Sequence, residues 1–294
     1  MGRDRFFFIA AMLIFGSIGL FVKSIYLPSG QIAFARGAIG CCFLMAAGLF
    51  SGNKPSWKAI RQNLIALVLS GAAIGFNWIL LFQAYRYTSI ANATLSYYFA
   101  PVFVIFLSPF LLRERLSIVK SACVVAAVAG LFMIIGYGAE AGKNHIVGIV
   151  YGLMAAVLYS AVVIINKFIK SLGGMETTII QLAIATVVLF PYIMASEKIQ
   201  IFGLDIRSSL LLLAVGIIHT GLAYLLYFTA LKQLDGQTIA VLSYIDPISA
   251  VIFASIIFAE PMSPWQILGA ALVLGAGIVS ELCGNRQRKK KYNK

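Results

Sequence analysis

Ten apolar runs follow one another along this chain, separated by short polar connections. A helix that crosses a lipid bilayer needs about 20 predominantly apolar residues, and most of the runs are close to that length. None of the connections is long enough to hold a soluble domain. The runs cover residues 6–22, 30–50, 64–85, 91–112, 118–137, 146–166, 175–195, 209–231, 238–258 and 266–283. The sequence therefore predicts an all-α polytopic membrane protein with ten transmembrane helices.

Composition argues against a soluble protein. Hydrophobic residues make up 61% of the chain and charged residues 11%, whereas about 25% of the residues in a soluble domain are charged. The net charge of +13 does not indicate nucleic acid binding, because the basic residues lie between apolar runs and in a short C-terminal tail. The four cysteines have neither metal-binding nor disulfide spacing. We expect no nucleic acid partner, no metal and no cofactor.

The distribution of lysine and arginine predicts the orientation. Cytoplasmic connections of membrane proteins carry an excess of these residues. With a cytoplasmic N-terminus, 17 basic residues fall on the cytoplasmic side and 5 on the other, while Arg36 lies within a span. We expect an integral multi-pass protein of a bacterial plasma membrane, and the bias predicts its orientation. Both termini then lie in the cytoplasm, where a basic tail favours the anionic leaflet of the bilayer.

One stretch recurs about 146 residues further along the chain. Residues Leu95–Glu114 read LSYYFAPVFVIFLSPFLLRE, and residues Leu242–Glu260 read LSYIDPISAVIFASIIFAE. Pro101 and Pro247 each stand 13 residues before the glutamate that ends their copy. The chain is therefore expected to consist of two structurally similar repeats, and in membrane proteins such repeats usually enclose a transport site.

The number of spans decides how the two halves are related. Five spans per half is an odd number, so the second half must enter the membrane from the opposite side. The repeat is then inverted, which lets two similar halves exchange states around a fixed central site. The predicted domains are the first repeat 1–145, the inverted repeat 146–284 and the basic cytoplasmic tail 285–294.

Several motifs resemble those of the drug/metabolite transporter superfamily, specifically its EamA-like ten-span branch. The first half has IAFARGAIG around Arg36 and LLRERLS around Glu114, and the second has AYLLYFTALKQL, DPISAVIFASIIFAEP and GAALVLGAGIV. Asp246 stands where the family often has glutamate before a proline. The resemblance covers nearly the whole chain. It implies a secondary transporter, frequently an exporter of amino acids, other metabolites or toxic compounds, and leaves the substrate open.

Three ionisable side chains lie inside predicted spans, where a charge is costly and each is a functional candidate. Arg36 is either a packing anchor that pairs with carbonyls or a coupling residue. His219 is either a satisfied core histidine or a cavity residue that binds solute or carries a proton. Asp246 precedes a proline, and a proline leaves a backbone carbonyl one turn earlier without its hydrogen bond. Asp246 therefore either holds a cation or proton there or provides hydrogen bonds to the backbone groups at the helix break. We expect His219 and Asp246 to bind solute.

Aromatic and amide side chains form a second group of candidates. Interfacial aromatic anchors lie at span ends, but several of these tyrosines lie deeper. That position favours either packing against protein or a cavity lined by rings, which suits planar or cationic solutes through stacking and cation–π contact. The predicted solute-binding residues of this group are Asn77, Trp78, Tyr97, Tyr98, Tyr224, Tyr227 and Tyr244.

Other residues are expected to shape the fold or to couple its motions. Glutamates at span ends cap the following helix or pair with a nearby base, and prolines break the spans. Two GxxxG pairs, Gly71/Gly75 and Gly148/Gly152, permit close helix contact. We expect that contact within the chain, with a homodimer left open. The predicted structural or coupling residues are Arg36, Pro101, Glu114, Pro247 and Glu260.

A transporter is the function that the sequence favours over an enzyme, a channel or a pump. We find no HExxH or paired-aspartate motif, no channel filter and no nucleotide-binding motif. We expect a non-enzymatic carrier of small organic solutes (amino acids, metabolites or drug-like cations) that exports them by alternating access. The third, fourth, eighth and ninth spans would line its cavity. Protons would couple through Asp246 or His219; an uncoupled facilitator or an uptake carrier is the alternative.

Overall fold

The computed structural model describes residues 2–22, 24–50, 56–88, 93, 96–113, 117–135 and 145–258, with short pieces between 264 and 279. Every regular element among these residues is helical. The helices are α1 (Arg3–Val22), α2 (Ser29–Phe50), α3 (Trp57–Gln62), α4 (Leu64–Tyr87), α5 (Ala100–Leu111), α6 (Ile118–Ile135), α7 (His145–Phe168), α8 (Gly174–Ser196), α9 (Ile206–Leu231), α10 (Gly236–Leu242) and α11 (Ile245–Phe258). Of these, α1, α2, α4, α7, α8 and α9 are long and apolar enough to cross a membrane. The prediction of an all-α polytopic membrane protein is confirmed.

The ninth predicted span, 238–258, is not one continuous helix. It is broken at Ser243–Tyr244, between α10 and α11, and the fourth span has a corresponding turn at Tyr98–Phe99 directly before α5. Pro247 and Pro101 lie in the first turns of the helices that follow. Proline is tolerated in a first turn but clashes with the preceding turn inside a helix. The repeated prolines therefore begin new helices at equivalent points of the two halves.

Close packing of α4 on α8 depends on the first GxxxG pair. A Cβ atom at Gly71 would lie 2.8 Å from Cβ of Ile184, and one at Gly75 would lie 2.9 Å from Cβ of Val188. Such distances are closer than carbon atoms approach without displacing one another. The absence of side chains lets the two backbones pack directly, so these glycines serve contact within the chain.

Replacement of Gly75 by alanine is expected to lower the thermal unfolding midpoint of the detergent-solubilised protein, because the methyl group has no room. Overpacking of this kind costs about 1–3 kcal/mol. Gly19→Ala is the matched control, since nothing lies within 4 Å of a Cβ atom at Gly19 and alanine favours a helix over glycine by about 1 kcal/mol. Equal midpoint shifts in the two variants would contradict this account of the α4–α8 contact.

Side-chain amides join helix connections at both ends of α2. Near its start, Gln31 donates to the carbonyl of Lys198 (2.6 Å) and accepts from the backbone N–H of Gln200 (2.9 Å). Beyond its end, Asn63 donates to the carbonyl of Lys170 (2.8 Å) and accepts from the N–H of the same residue (3.0 Å). Each side chain satisfies two backbone groups of the segment that it contacts. These two contacts, termed the amide clamps, lie at opposite ends of the bundle.

Candidate functional site

A cavity of about 200 Å³ lies among α1, α2, α4, α7, α9 and the two helix breaks. One water molecule occupies roughly 30 Å³ in the liquid. The cavity therefore has room for about six or seven waters, or for a small organic solute in their place. Aromatic rings form much of its wall, and its tyrosines are Tyr85, Tyr97, Tyr98, Tyr159, Tyr224 and Tyr227.

Among the described residues, two side chains of opposite charge line this cavity: Arg36 from α2 and Asp246 from the first turn of α11. The guanidinium carbon of Arg36 lies 4.3 Å from the centroid of the Trp78 ring, which is a cation–π distance. The carboxyl group of Asp246 is hydrogen-bonded to the Tyr98 hydroxyl. Both charged side chains are only partly buried. A cation and an anion thus face one cavity.

Tyrosine hydroxyls connect the walls of the cavity. The Tyr227 hydroxyl donates to that of Tyr159 across α9 and α7 (2.9 Å), and Tyr159 is hydrogen-bonded to Ser243 at the second helix break. The Tyr244 hydroxyl donates to the backbone carbonyl of Tyr98 (3.2 Å). Backbone groups freed by a helix break need such partners inside a membrane protein. Tyr98 and Tyr244 are equivalent residues of the repeat, so the two breaks contact each other directly.

Most of the predicted solute-binding residues lie at this cavity. Those that line it are Trp78, Tyr97, Tyr98, Tyr224, Tyr227 and Asp246. Arg36 and Pro101, which the sequence suggested as structural or coupling residues, line it as well. Pro247 is buried in the first turn of α11, and Glu114 and Glu260 fall outside the described residues. The solute-binding role of the lining residues stays a prediction.

Three predicted solute-binding residues are not part of the cavity lining. Asn77 is buried and donates from its amide to the carbonyl of Ala155 (2.6 Å), which joins α4 to α7. Tyr244 is fully buried and its hydroxyl bonds to the other break. His219 is 2% exposed, and its Nε2 atom lies 3.0 Å from the Ser17 hydroxyl on α1. These positions suit helix-to-helix contacts.

Sequence reasoning missed the contributions of α1 and α7. Met12, Phe15 and Ile18 reach the cavity from one side of α1, and Tyr159 reaches it from α7. The three α1 residues are as apolar as residues that face lipid, so no polar group marks that side of the helix. Tyr159 did carry a usable signal, because it is a tyrosine deep within an apolar run.

A bundle of apolar helices around an aromatic and polar cavity bordered by two helix breaks is typical of solute transporters. The family model described as "EamA-like transporter family" matches residues 5–136 and 146–280. The chain belongs to the EamA-like transporter family, which confirms the resemblance seen in its motifs. A solved crystal structure of a protein shares the fold with a TM-score of 0.85 and 21% identity, over 96% of this chain and 98% of the other.

Curated relatives in several organisms are also named as transporters. The uncharacterized transporter YxxF of Bacillus subtilis (strain 168) is 28% identical, over 90% of this chain and 85% of that protein. The pseudopaline exporter CntI of Pseudomonas aeruginosa (strain UCBPP-PA14) is 25% identical, over 92% and 93%. Solute carrier family 35 member G1 of Mus musculus is 25% identical, over 92% and 76%. The transporter class predicted for this chain is therefore confirmed.

Proposed function

We propose that this chain is a secondary transporter of the bacterial plasma membrane that exports a small zwitterionic solute of amino-acid type. The observation that carries the proposal is the presence of Arg36 and Asp246 in one cavity among aromatic rings. The proposed architecture has ten transmembrane helices in two inverted five-helix repeats, with both termini in the cytoplasm. Support for the repeats comes from the two helix breaks, which stand 146 residues apart and touch each other.

The two charges favour a zwitterion over a simple cation. A charged group within a membrane protein is costly unless it is paired. A carboxylate would supply Arg36 with paired hydrogen bonds, the geometry that a guanidinium favours, and an ammonium group would pair with Asp246. A drug-like cation would satisfy Asp246 but would leave Arg36 facing a like charge. A solute that carries both a carboxylate and an ammonium group can pair with both charged side chains of the cavity.

The aromatic rings and the volume of the cavity limit the chemistry and the size of the solute's side chain. Trp78, Tyr97 and Tyr224 offer faces and edges to an apolar or aromatic side chain, and such contacts add about 0.5–1.5 kcal/mol beyond the burial of area. About 200 Å³ accommodates a single amino acid better than a peptide. An amino acid with an apolar or aromatic side chain therefore fits the cavity best.

Alternating access around this cavity is the proposed mechanism. Discontinuous helices near the centre of the membrane are typical of secondary transporters, whose halves rock around a fixed site. The breaks before α5 and α11 both border the cavity, which supports this mechanism. Export as the direction is supported by the name of one relative, the pseudopaline exporter CntI, which covers 92% of this chain.

Proton coupling at Asp246 is part of the proposal. His219 is less suited to that role, because it lies outside the cavity lining and pairs with Ser17. An Asp246→Asn variant in proteoliposomes is the test. If that variant moves solute with the same response to a proton gradient as the wild type, the uncoupled facilitator becomes the better description.

An amino acid with an apolar side chain is expected to raise the unfolding midpoint of the purified protein. A ligand of the folded state stabilises by RT ln(1 + [L]/Kd), about 2.7 kcal/mol at 100 Kd. Its amide and its deaminated acid serve as controls, because each lacks one of the two charges. A shift with quaternary amines alone would replace the zwitterion with a cation. Failure of every stabilising ligand to cross proteoliposome membranes, with or without a gradient, would contradict transport.

A further inference from the structure

A partly buried ion pair joins the two halves of the chain at one end of the bundle. Lys120 lies in the first turn of α6, and its Nζ atom is 2.6 Å from Oδ1 of Asp235, directly before α10. Lys120 is only 7% exposed. Beside this pair, the backbone N–H of Ser117 donates to Oε1 of Gln237 (3.1 Å). These two contacts, between residues 117–120 and 235–237, are termed the latch.

The carboxylate of the latch is held in place by its own helix. Asp235 caps α10, accepting from the backbone N–H and from the hydroxyl of Thr238, both at 2.8 Å. Burial disfavours its ionised form, but the charge and hydrogen bonds of Lys120, with the Thr238 contacts, hold its pKa below the usual range. A depressed pKa means that the stabilisation is present at neutral pH and is lost only as acid protonates the folded form. The latch is therefore closed at physiological pH.

The helix α10 connects the latch to the cavity. It runs from Gly236 to Leu242, and all seven of its residues are buried. At 1.5 Å per residue its length is about 10 Å. Its last turn leads directly into Ser243 and, after one further residue pair, to Asp246 at the cavity wall. One short buried helix therefore joins the latch to the cavity wall at Ser243, directly before the helix break.

The latch differs from the amide clamps in one respect. A clamp is present at each end of the bundle, through Gln31 at one end and Asn63 at the other. The repeat spacing of 146 relates Lys120 to Gln266 and Asp235 to Ser89, neither of which is charged. The ion pair therefore has no charged counterpart at the equivalent sequence positions of the other half-repeat. The amide clamps are distributed over both ends of the bundle, whereas the latch is present at one end alone.

We propose that the latch holds its end of the bundle closed and so favours the transporter state that is open at the opposite end. The inference rests on the alternating access of the proposed function, and in the proposed orientation the latched end faces the cytoplasm. Opening that end requires α6 and the start of α10 to separate. Because the mirror state has no ion pair at the equivalent positions, the two states are unequal in the absence of solute.

Hydrogen–deuterium exchange of the solute-free protein tests the latch. The variants are Lys120→Gln, Asp235→Asn and the double change; asparagine caps a helix about as well as aspartate, so α10 keeps its start. Exchange at 236–242 is expected to rise several-fold in each variant. At the same time, exchange at residues 84–88, where α4 ends toward the opposite end of the bundle, is expected to fall. The double variant should change no more than Lys120→Gln alone, because that change already removes both contacts of the Lys120 Nζ atom, with Asp235 (2.6 Å) and with the Thr238 hydroxyl (3.0 Å).

Lys232→Gln is the matched control at the same end of the bundle. The Nζ atom of Lys232 donates to the carbonyl of Leu172 (2.9 Å) and the hydroxyl of Thr177 (2.8 Å), both in the second half of the chain. Burial lowers the pKa of this lysine to about 8. The control removes a partly buried lysine contact without breaking a link between halves, so it should leave the opposite end unchanged.

Reciprocal change at the two ends is the outcome that supports the latch. A rise at 236–242 with no fall at 84–88, or the same pattern in the Lys232→Gln control, overturns it and leaves a local structural contact. Solute flux in proteoliposomes separates this result from the proposed function. Flux without reciprocal exchange rejects the latch and retains the transporter, whereas reciprocal exchange supports the latch whichever solute is carried.

Discussion

Replacement of Arg36 by glutamine is expected to weaken binding of the zwitterionic solute by about 100-fold. Hydrogen bonds to charged groups contribute about 1.5–3 kcal/mol, and each 1.4 kcal/mol corresponds to a tenfold change in affinity. The change removes the positive charge of the cavity and the donors that would hold a carboxylate. Trp78 remains, but its face loses the guanidinium that covers it at 4.3 Å.

Two further arginine variants make this expectation specific. Arg36→Lys keeps the charge but loses the planar fork and the stack on Trp78, so its affinity should fall between wild type and glutamine. Arg86→Gln removes an exposed arginine at the end of α4 and should bind solute as the wild type does. Binding is measured by titration calorimetry and flux in proteoliposomes. Unchanged affinity in the Arg36→Gln variant would remove Arg36 from the site.

Replacement of Asp246 by asparagine is expected to weaken solute binding by about 10- to 100-fold. The amide has nearly the same size and retains a hydrogen-bonding group for the Tyr98 hydroxyl, so the helix break is preserved. The variant loses only the negative charge that would pair with an ammonium group, and a charged hydrogen bond contributes about 1.5–3 kcal/mol. Its unfolding midpoint in the absence of solute serves as the control for an intact fold.

Solute analogues combined with the two variants assign each charge to its partner. The amino-acid amide lacks the carboxylate, and the deaminated acid lacks the ammonium group. Removal of the carboxylate should matter in wild type and Asp246→Asn but little in Arg36→Gln, whereas removal of the ammonium group should matter little in Asp246→Asn. Contacting groups show such interaction energies, while independent groups give additive losses. Additive losses throughout would therefore contradict the assigned pairs.

Polar and aromatic residues within the apolar runs allowed much of the cavity lining to be predicted from the sequence. Tyr98 and Asp246 are costly or unusual in the middle of a span, and such residues are placed inside the bundle. The repeated prolines likewise indicated breaks in these spans, and the structure has a turn shortly before each of them. The effects of a proline on its helix and of a charge within a span depend on the nearby sequence, so these features could be predicted without knowledge of the fold.

The direction in which each helix faces could not be predicted in the same way. Asn77 and Trp78 are neighbours, and one residue turns an α-helix by about 100°, so Trp78 faces the cavity while Asn77 bonds to Ala155 on α7. In water an apolar stripe fixes such rotation. In a bilayer the lipid is as apolar as the packed core, and the rotation of α1 or α2 is set by contacts between helices. The cavity role of Arg36 depended on those contacts.

The cavity also has an electrical consequence. Moving one elementary charge across a membrane potential of 100 mV involves about 2.3 kcal/mol of work. An arginine and an aspartate in one pocket sum to zero charge, and a bound zwitterion leaves that sum unchanged. While Asp246 is ionised, opening the pocket to either side carries no net charge through the field, whether it is empty or loaded. Movement of the solute alone is therefore expected to be independent of the membrane potential. Transport would depend on that potential only if a proton or another ion moved with the solute.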